Sequence, residues 1–487
     1  MKQFRNYVNL REAVDAAAPA LKRECVPTSR DGRFFAFARN SRSVRPSIVH
    51  FQLRNLVWAT SPSDVYTACD ARIVHWNGVA REKATVLDLS GEPWAPPLGP
   101  PGPGAAGPLG GGRVQVGTCT VAHGLAVAGG FNGEVVVKPL TTGTTSTGAA
   151  RSLLPRCSPA AFRVTLSDNG ITNGIEVVPS PGTGGGLPGD PPGVPASLLV
   201  ANNDNAVRLF DAATLARTAD WALDWAANWA TACPAAAPGP AAGLVAIVGD
   251  DPAALLADGA SGRAVARLAG HADYSFAAAW HPGGTLLATG NQDTTARVWD
   301  VRRLGGPALA TLAGAMGAVR SLRWSPDGRF LAAAEPADFV RVFDAAAGFE
   351  RAQEIDLFGE VAGIAFSPGG DRFFVGVSDA TYSSLLQFNR AVGGSVGGGG
   401  GWVGSAIPGT AAAGAGDEEE DEENEDDEDE EAGGGGGGGP PASRRSPSLA
   451  GGGEEDPAGA AEAAPPPACA GTARRRLRSG AALGGDD

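Results

Sequence analysis

From Leu56 onward the chain is a succession of short apolar runs broken by Gly, Pro, Asn and Asp. LVWAT, DVYTACD, RIVHW and TVLDLS follow one another between Leu56 and Ser90 with short connections. After Val114 come QVGTCTV, GLAVAGG and GEVVVKPL, then GITNGIEVV, SLLVANN and AVRLFD, then NWATA, LVAIVGDD and ALLAD. Runs of this length bounded by turn residues predict antiparallel β-strands. Trp221, Trp225 and Trp229 recur every fourth residue, but Trp221, Leu223 and Trp225 also alternate, which predicts a strand that ends one sheet and leads into NWATA. Ser325-Pro326-Asp327-Gly328 and Ser367-Pro368-Gly369-Gly370 have the composition of tight hairpin turns.

The most informative stretch is His271 to Asp300, HADYSFAAAWHPGGTLLATGNQDTTARVWD. SFAAAW, LLATG and ARVW are separated by His-Pro-Gly-Gly and Asn-Gln-Asp, opened by Gly270-His271 and closed by Trp299-Asp300. This resembles the WD-repeat blade of a β-propeller, whose signature is a Gly-His pair followed by a Trp-Asp pair. The resemblance implies that His271, Thr289, Asp293 and Trp299 form one hydrogen-bonded tetrad, from indole to hydroxyl to imidazole to carboxylate. Thr289, His271 and Asp293 also have the residue types of a nucleophile, base and orienting acid. The blade accounts for all three, and no catalytic constellation is expected.

Longer phrases, among them SVRPSIVHFQLRNLVWAT, TGNQDTTARVWDVR and EIDLFGEVAGIAFSP, resemble a group of plant, algal and fungal WD-repeat (transducin-like) proteins. That resemblance implies a single propeller without an assigned activity. The fold expected is therefore all-β, a single seven-bladed propeller of four-stranded antiparallel blades over residues 48–390, about 49 residues per blade. The seventh blade has only three strands, VAGIAFSPGGD, RFFVGV and SSLLQFN, so Ile48 to Leu53 (IVHFQL) is expected to supply the fourth and close the ring. Residues 1–47 would then be a leader, with a short helix near Leu10 to Ala18. In the sixth blade Ala333 and Phe343 stand where the fifth has Thr289 and Trp299.

Composition changes this picture mainly at the C-terminus. The net charge of -14 is concentrated in Asp417 to Glu431, which holds 14 carboxylates; without them 39 of the 53 acidic residues remain against 39 basic ones. That balance does not point to nucleic acid. Residues 391–487, Gly-rich, acidic and Pro-rich by turns, are expected to be a disordered tail whose acidic run would meet basic partners. Six separated cysteines without a CxxC pair fit buried thiols of a reducing compartment, and no metal or cofactor is expected. The N-terminus lacks the apolar stretch of a secretory signal, and no apolar run has the length of a transmembrane helix. A cytoplasmic or nuclear location follows.

Two binding readings remain. Asn202, Asn203, Asp204, Asp250, Asp251, Asn291, Glu335 and Asp338 fall at turns expected on one face, where they would form a polar rim for a basic peptide. Trp299-Asp300-Val301-Arg302 resembles the WDxR box of substrate receptors that dock on the adaptor of cullin-RING ubiquitin ligases, which implies an adaptor-facing role for Arg302. The leading expectation is a non-catalytic protein-interaction scaffold, with the ligase receptor as the alternative.

Overall fold

The structure, a computed structural model, describes residues 23–91, 113–140, 159–179, 195–234 and 241–391. The helix expected near Leu10, the acidic run 417–431 and the rest of the tail lie outside the described residues. Strands make up nearly all the regular structure that is described, with one 3-10 turn at Ala345–Ala347.

The first strand is β1 (Phe35–Ser41). Sheet I then holds β2 (Val57–Ala59), β3 (Asp64–Cys69), β4 (Arg72–Asn77) and β5 (Glu82–Asp88). Sheet II holds β6 (Thr118–Ala122), β7 (Leu125–Gly129), β8 (Glu134–Pro139) and β9 (Ala160–Arg163); sheet III holds β10 (Thr172–Pro179), β11 (Pro195–Asn202), β12 (Ala206–Asp211) and β13 (Arg217–Ala222). Sheet IV is β14 (Ala227–Ala232), β15 (Leu244–Gly249), β16 (Asp251–Asp258) and β17 (Ala264–Leu268), and sheet V is β18 (Ser275–Trp280), β19 (Leu286–Asn291), β20 (Thr295–Asp300) and β21 (Ala310–Ala313). Sheet VI has seven strands: β22 (Ser321–Trp324), β23 (Phe330–Ala334), β24 (Ala337–Asp344), β25 (Ala352–Phe366), β26 (Arg372–Ser378), β27 (Ser384–Arg390) and, on its far edge, β1.

All pairings within the sheets are antiparallel, and each of the first five runs in chain order from an inner to an outer strand. The inner strands β2, β6, β10, β14, β18, β22 and β25 each touch the next, and β25 touches β2, so contact closes into a cycle. Both faces of a sheet are thereby covered, which is why strands such as β7 and β15 are apolar throughout instead of alternating. The core lies between facing sheets: Val135, Val137 and Phe162 of sheet II pack with Ile175, Leu198, Val200 and Phe210 of sheet III.

Strand β25 belongs to two pairings. Ala352 to Asp356 pair with β24, and Glu360 to Phe366 pair with β26. Gly359 lies between them at φ +120, where a Cβ would stand 2.8 Å from Val377 Cγ1, so glycine suits this change of direction.

The strand that completes the last pairing is not the expected one. Ile48 to Leu53 form no strand; β1 pairs antiparallel with β27 from Phe35 opposite Arg390 to Ser41 opposite Leu385. Residues 48–53 instead cross toward the inner strand of sheet I, held by local bonds such as Arg54 Nη1 to the His50 carbonyl at 3.0 Å. Their apolar residues divide, Leu53 being buried and Phe51 exposed, which is the pattern of a crossing loop. The segment 23–47 is likewise no separate leader. Val26 N–H donates to the Thr311 carbonyl at 2.9 Å, Ser29 N–H to Glu350 and Gly32 N–H to Ala352, so this strap runs along the outer strands of sheets V and VI before becoming β1. Phe34 and Phe35 then insert among Phe330, Phe366 and Phe373.

Candidate functional site

The tetrad residues are brought together inside sheet V. Trp299 Nε1 donates to Thr289 Oγ1 at 2.9 Å, Thr289 Oγ1 lies 2.8 Å from His271 Nε2, and His271 Nδ1 lies 3.0 Å from Asp293 Oδ2. Asp293 also accepts the backbone N–H groups of Ala272 and Thr295 and the Thr295 hydroxyl. Burial pulls the His271 pKa below the ordinary imidazole range despite the neighbouring carboxylate, so the ring is neutral and Nδ1 carries the hydrogen toward Asp293. Burial alone would raise the Asp293 carboxyl, but the hydrogen bonds from His271, Thr295 and Ala272 outweigh it and hold it low. All four side chains are buried, and the Thr289 hydroxyl is occupied from two sides. This arrangement ties the connection before β18, the second strand and the third strand together; it offers no substrate a path to Thr289.

In sheet VI the corresponding device differs. With Ala333 and Phe343 in place of Thr and Trp, Glu335 reaches the connecting loop directly, accepting N–H groups from Met316 at 3.0 Å and Gly317 at 2.6 Å and from Ala315.

That contact corrects part of the expected rim. Asn202, Asn291 and Glu335 are buried and spent within the fold: Asn202 accepts from Arg208, and Asn291 donates to Ser275 Oγ at 2.8 Å. Asp204 is locked to Arg208 at 2.8 Å, Asp251 to Arg267 at 2.7 Å, Asn203 bonds Asn169, and Asp338 accepts from Gly359. Asp250 remains exposed, bonded to Asn228 at 3.0 Å. Its pKa is raised first by burial and then by the charge of Asp273, against the bond from Asn228.

The end of the molecule that carries these turns is not bare. Connections between an outer strand and the next inner strand share it with the turns between second and third strands, as the His271–Asp293 contact requires. Phe51, Leu166, Tyr274, Met316 and Phe358 project from the former and Tyr382 from the latter, all exposed. Asp224, Asp250 and Asp273 stand among them on the side of sheets III to V, and none has an ion-pair partner among the described residues. Sequence reasoning missed the apolar members because they are isolated letters in loops.

Arg302 follows β20 and is 61% exposed; its Nε and Nη2 grip Asp300 at 2.8 and 2.7 Å. Cys69, Cys119 and Cys233 carry free thiols. No group of His, Cys, Asp or Glu with metal-holding geometry occurs among the described residues.

Sequence reasoning also missed the centre of the cycle. Arg323 of β22 lies with its guanidinium 4.7 Å from the ring centre of Trp58 of β2, whose Nε1 donates to the Cys119 carbonyl of β6 at 2.7 Å. Glu176 of β10 accepts from the Ala232 N–H of β14 at 3.0 Å and from the Thr231 hydroxyl. No local spacing announces residues that come from five sheets.

Residues 262–300 and 306–344 match the family described as WD domain, G-beta repeat. These two matches lie on sheets V and VI, so the chain carries WD repeats there. No curated protein matches the chain. A chain in a solved structure described as the crystal structure of the mitotic checkpoint complex aligns with a TM-score of 0.52 at 16% identity, over 75% of this chain and 94% of that one. At that identity the similarity speaks for a shared propeller-like fold.

Proposed function

We propose that the chain is a non-catalytic protein-interaction scaffold: a single seven-bladed propeller, with β25 serving two blades and β1 completing the seventh, whose loop-bearing end receives a basic, amphipathic peptide segment. The observation that carries this reading is the set of exposed Phe51, Leu166, Tyr274, Met316, Phe358 and Tyr382 beside the unpaired Asp224, Asp250 and Asp273. Apolar side chains grouped at one end of a fold mark interaction surfaces more often than scattered ones do. Carboxylates nearby select a cationic partner and speed its approach. The WD repeats of sheets V and VI support the scaffold reading, since such repeats commonly serve protein binding, and the charge balance outside the acidic run 417–431 agrees with a protein partner.

Affinity purification of the full chain from cytosolic and nuclear lysates tests it. Capture of protein partners that is lost in a Met316→Asp, Phe358→Asp variant and kept in Val79→Asp, on the opposite end, is the expected result. Equal capture by all three proteins, or none under gentle conditions, would overturn it.

The exposure of Arg302 favours a second reading, docking to a ligase adaptor through the WDxR box. Arg302→Ala then abolishes co-purification of adaptor and cullin with the fold intact; unchanged recovery, or no adaptor with the unaltered chain, removes that reading.

A further inference from the structure

Met316 is the only methionine of the chain after Met1. The backbone that carries it is held from both neighbouring sheets. Gly314 N–H donates to the Thr294 carbonyl at 2.7 Å and Val319 N–H to the Asn291 carbonyl at 3.0 Å, both at the turn of sheet V between β19 and β20. From sheet VI, Glu335 accepts the N–H groups of Ala315, Met316 and Gly317. A Cβ on Gly314 would stand 2.6 Å from the Thr294 carbonyl oxygen, so the loop sits tightly on that turn. None of these bonds involves the Met316 side chain, which is exposed and takes no part in the apolar cluster between sheets V and VI.

A thioether placed in this way is a soft nucleophile facing water on a fixed mount. The described thiols that compete for an oxidant are withdrawn. Burial pushes Cys69 up to about 11 and Cys119 and Cys233 up to about 12, and it raises Cys25 as well, so these groups are neutral at pH 7. Oxidation of a methionine needs no such ionisation. The sulfur lone pair attacks one oxygen of hydrogen peroxide, and the S–O bond forms as the O–O bond breaks. The other oxygen leaves as hydroxide and takes the proton of the new S–OH group to become water. The sulfur is oxidised, and the peroxide reduced, by one electron pair.

We propose that Met316 is a reversible oxidation site, and that its sulfoxide closes the loop-bearing end to partners. The second half rests on the scaffold reading above. Met316 shares that end with Phe51, Tyr274 and Phe358, and a partner that covers them also desolvates whatever Met316 carries. A thioether is apolar and adapts to the partner's shape. A sulfoxide is polar, with an acceptor that an apolar contact leaves unsatisfied. Because Glu335 and the sheet V carbonyls hold the backbone, the change reaches the surface and leaves the fold alone.

The full chain is treated with dilute hydrogen peroxide, and the added oxygen is located by peptide mass mapping. Met316 is oxidised at a rate within about threefold of its rate in the urea-unfolded chain, as its exposure requires, and the urea midpoint does not move. The oxidised chain recovers at least about tenfold less partner from cytosolic and nuclear lysates than the untreated one, and methionine sulfoxide reductases of both stereospecificities restore recovery. Met316→Leu, which keeps an apolar side chain without sulfur, captures partners equally before and after peroxide. That variant separates this sulfur from every thiol, Cys157 and Cys469 outside the described residues included. Protection of Met316 in the folded chain, a lower urea midpoint on oxidation, or full recovery of partners with Met316 oxidised would each overturn the proposal. No capture even by the untreated chain overturns the scaffold reading and the closing of the site with it, and is told apart because the oxidation at Met316 is measured separately.

Discussion

Glu24 and Arg297, 273 positions apart, form an ion pair of 2.8 Å that fixes the N-terminal strap to sheet V. Arg208, Arg297 and Arg341 occupy the same place on the third strands of sheets III, V and VI. Opposite Arg208 and Arg341 the outer strand carries its own acid, Asp220 and Glu354; opposite Arg297 it carries Thr311. The strap supplies from outside what sheet V lacks, while Val26 bonds the Thr311 carbonyl beside it.

Glu24→Ala is expected to destabilise the fold by about 1–2 kcal/mol: more than a surface pair, because Arg297 is buried, and less than a buried one, because the Glu24 side chain is 55% exposed. Thr311→Glu, which restores the arrangement of sheet VI, recovers most of that loss. Urea unfolding of the two single variants and the double variant checks both; no change in midpoint for Glu24→Ala would remove the strap's electrostatic role.

Thr289→Val keeps the shape of the tetrad and deletes its central hydroxyl. Trp299 Nε1 and His271 Nε2 are then buried without partners, at about 1–3 kcal/mol each, so a loss of roughly 2–6 kcal/mol is expected. Thr289→Ala combined with Trp299→Phe copies the Ala333 and Phe343 of sheet VI and costs less than the two changes summed. Additive losses would show that the hydrogen bonds are not coupled.

How far these features could be read in advance depends on distance along the chain. His271, Thr289, Asp293 and Trp299 fall within thirty residues of one sheet, where turns and strand lengths fix which side chains meet. The strand that completes sheet VI has no such signature. FAFARNS buries only Phe35 fully and exposes or half-exposes the rest, whereas IVHFQL is more apolar and reads more like a strand. Pairing with β27 depends on backbone groups and on Phe34 and Phe35 meeting a cluster some three hundred residues away, which no local pattern encodes. The expected rim failed for a related reason. Turn carboxylates and amides are recognisable in the sequence, but what occupies them is not: Arg208, four residues beyond Asp204, closes back on its own turn, while Arg267 and the N–H groups of loop 315–317 come from other segments.

Phe358, 84% exposed, and Met316, 61% exposed, are expected to tolerate replacement by Ser within about 0.5 kcal/mol. Phe210→Ala, in the core between sheets II and III, costs about 3–5 kcal/mol by comparison. Denaturation midpoints of the three variants separate the two classes. A large loss at Phe358 would mean that it packs within the fold and is unavailable to a partner.

Stability against pH should show two opposed slopes. His50 is buried beside Arg54 and Arg320; burial first, then those charges, lower its pKa from 6.5 to about 4. Between those values the unfolded chain takes up a proton that the fold refuses, so stability falls as pH drops, by about 3 kcal/mol in all. Burial lowers His271 and His281 as well, and both add to the acid-side loss. Glu176 works the other way: its pKa rises from 4.5 to about 7, the unfolded chain releases its proton first, and stability falls as pH climbs through that range. Glu176→Gln keeps the contacts to Thr231 and Ala232 and removes that loss, so the variant should match the unaltered chain near pH 4.5 and exceed it by about 1–3 kcal/mol at pH 7.5. His50→Asn should flatten the acid side, its deficit at pH 7 shrinking by up to about 3 kcal/mol toward pH 4. Urea unfolding at each pH measures both differences. Curves that stay parallel to the unaltered chain's would show that neither group changes its protonation on folding.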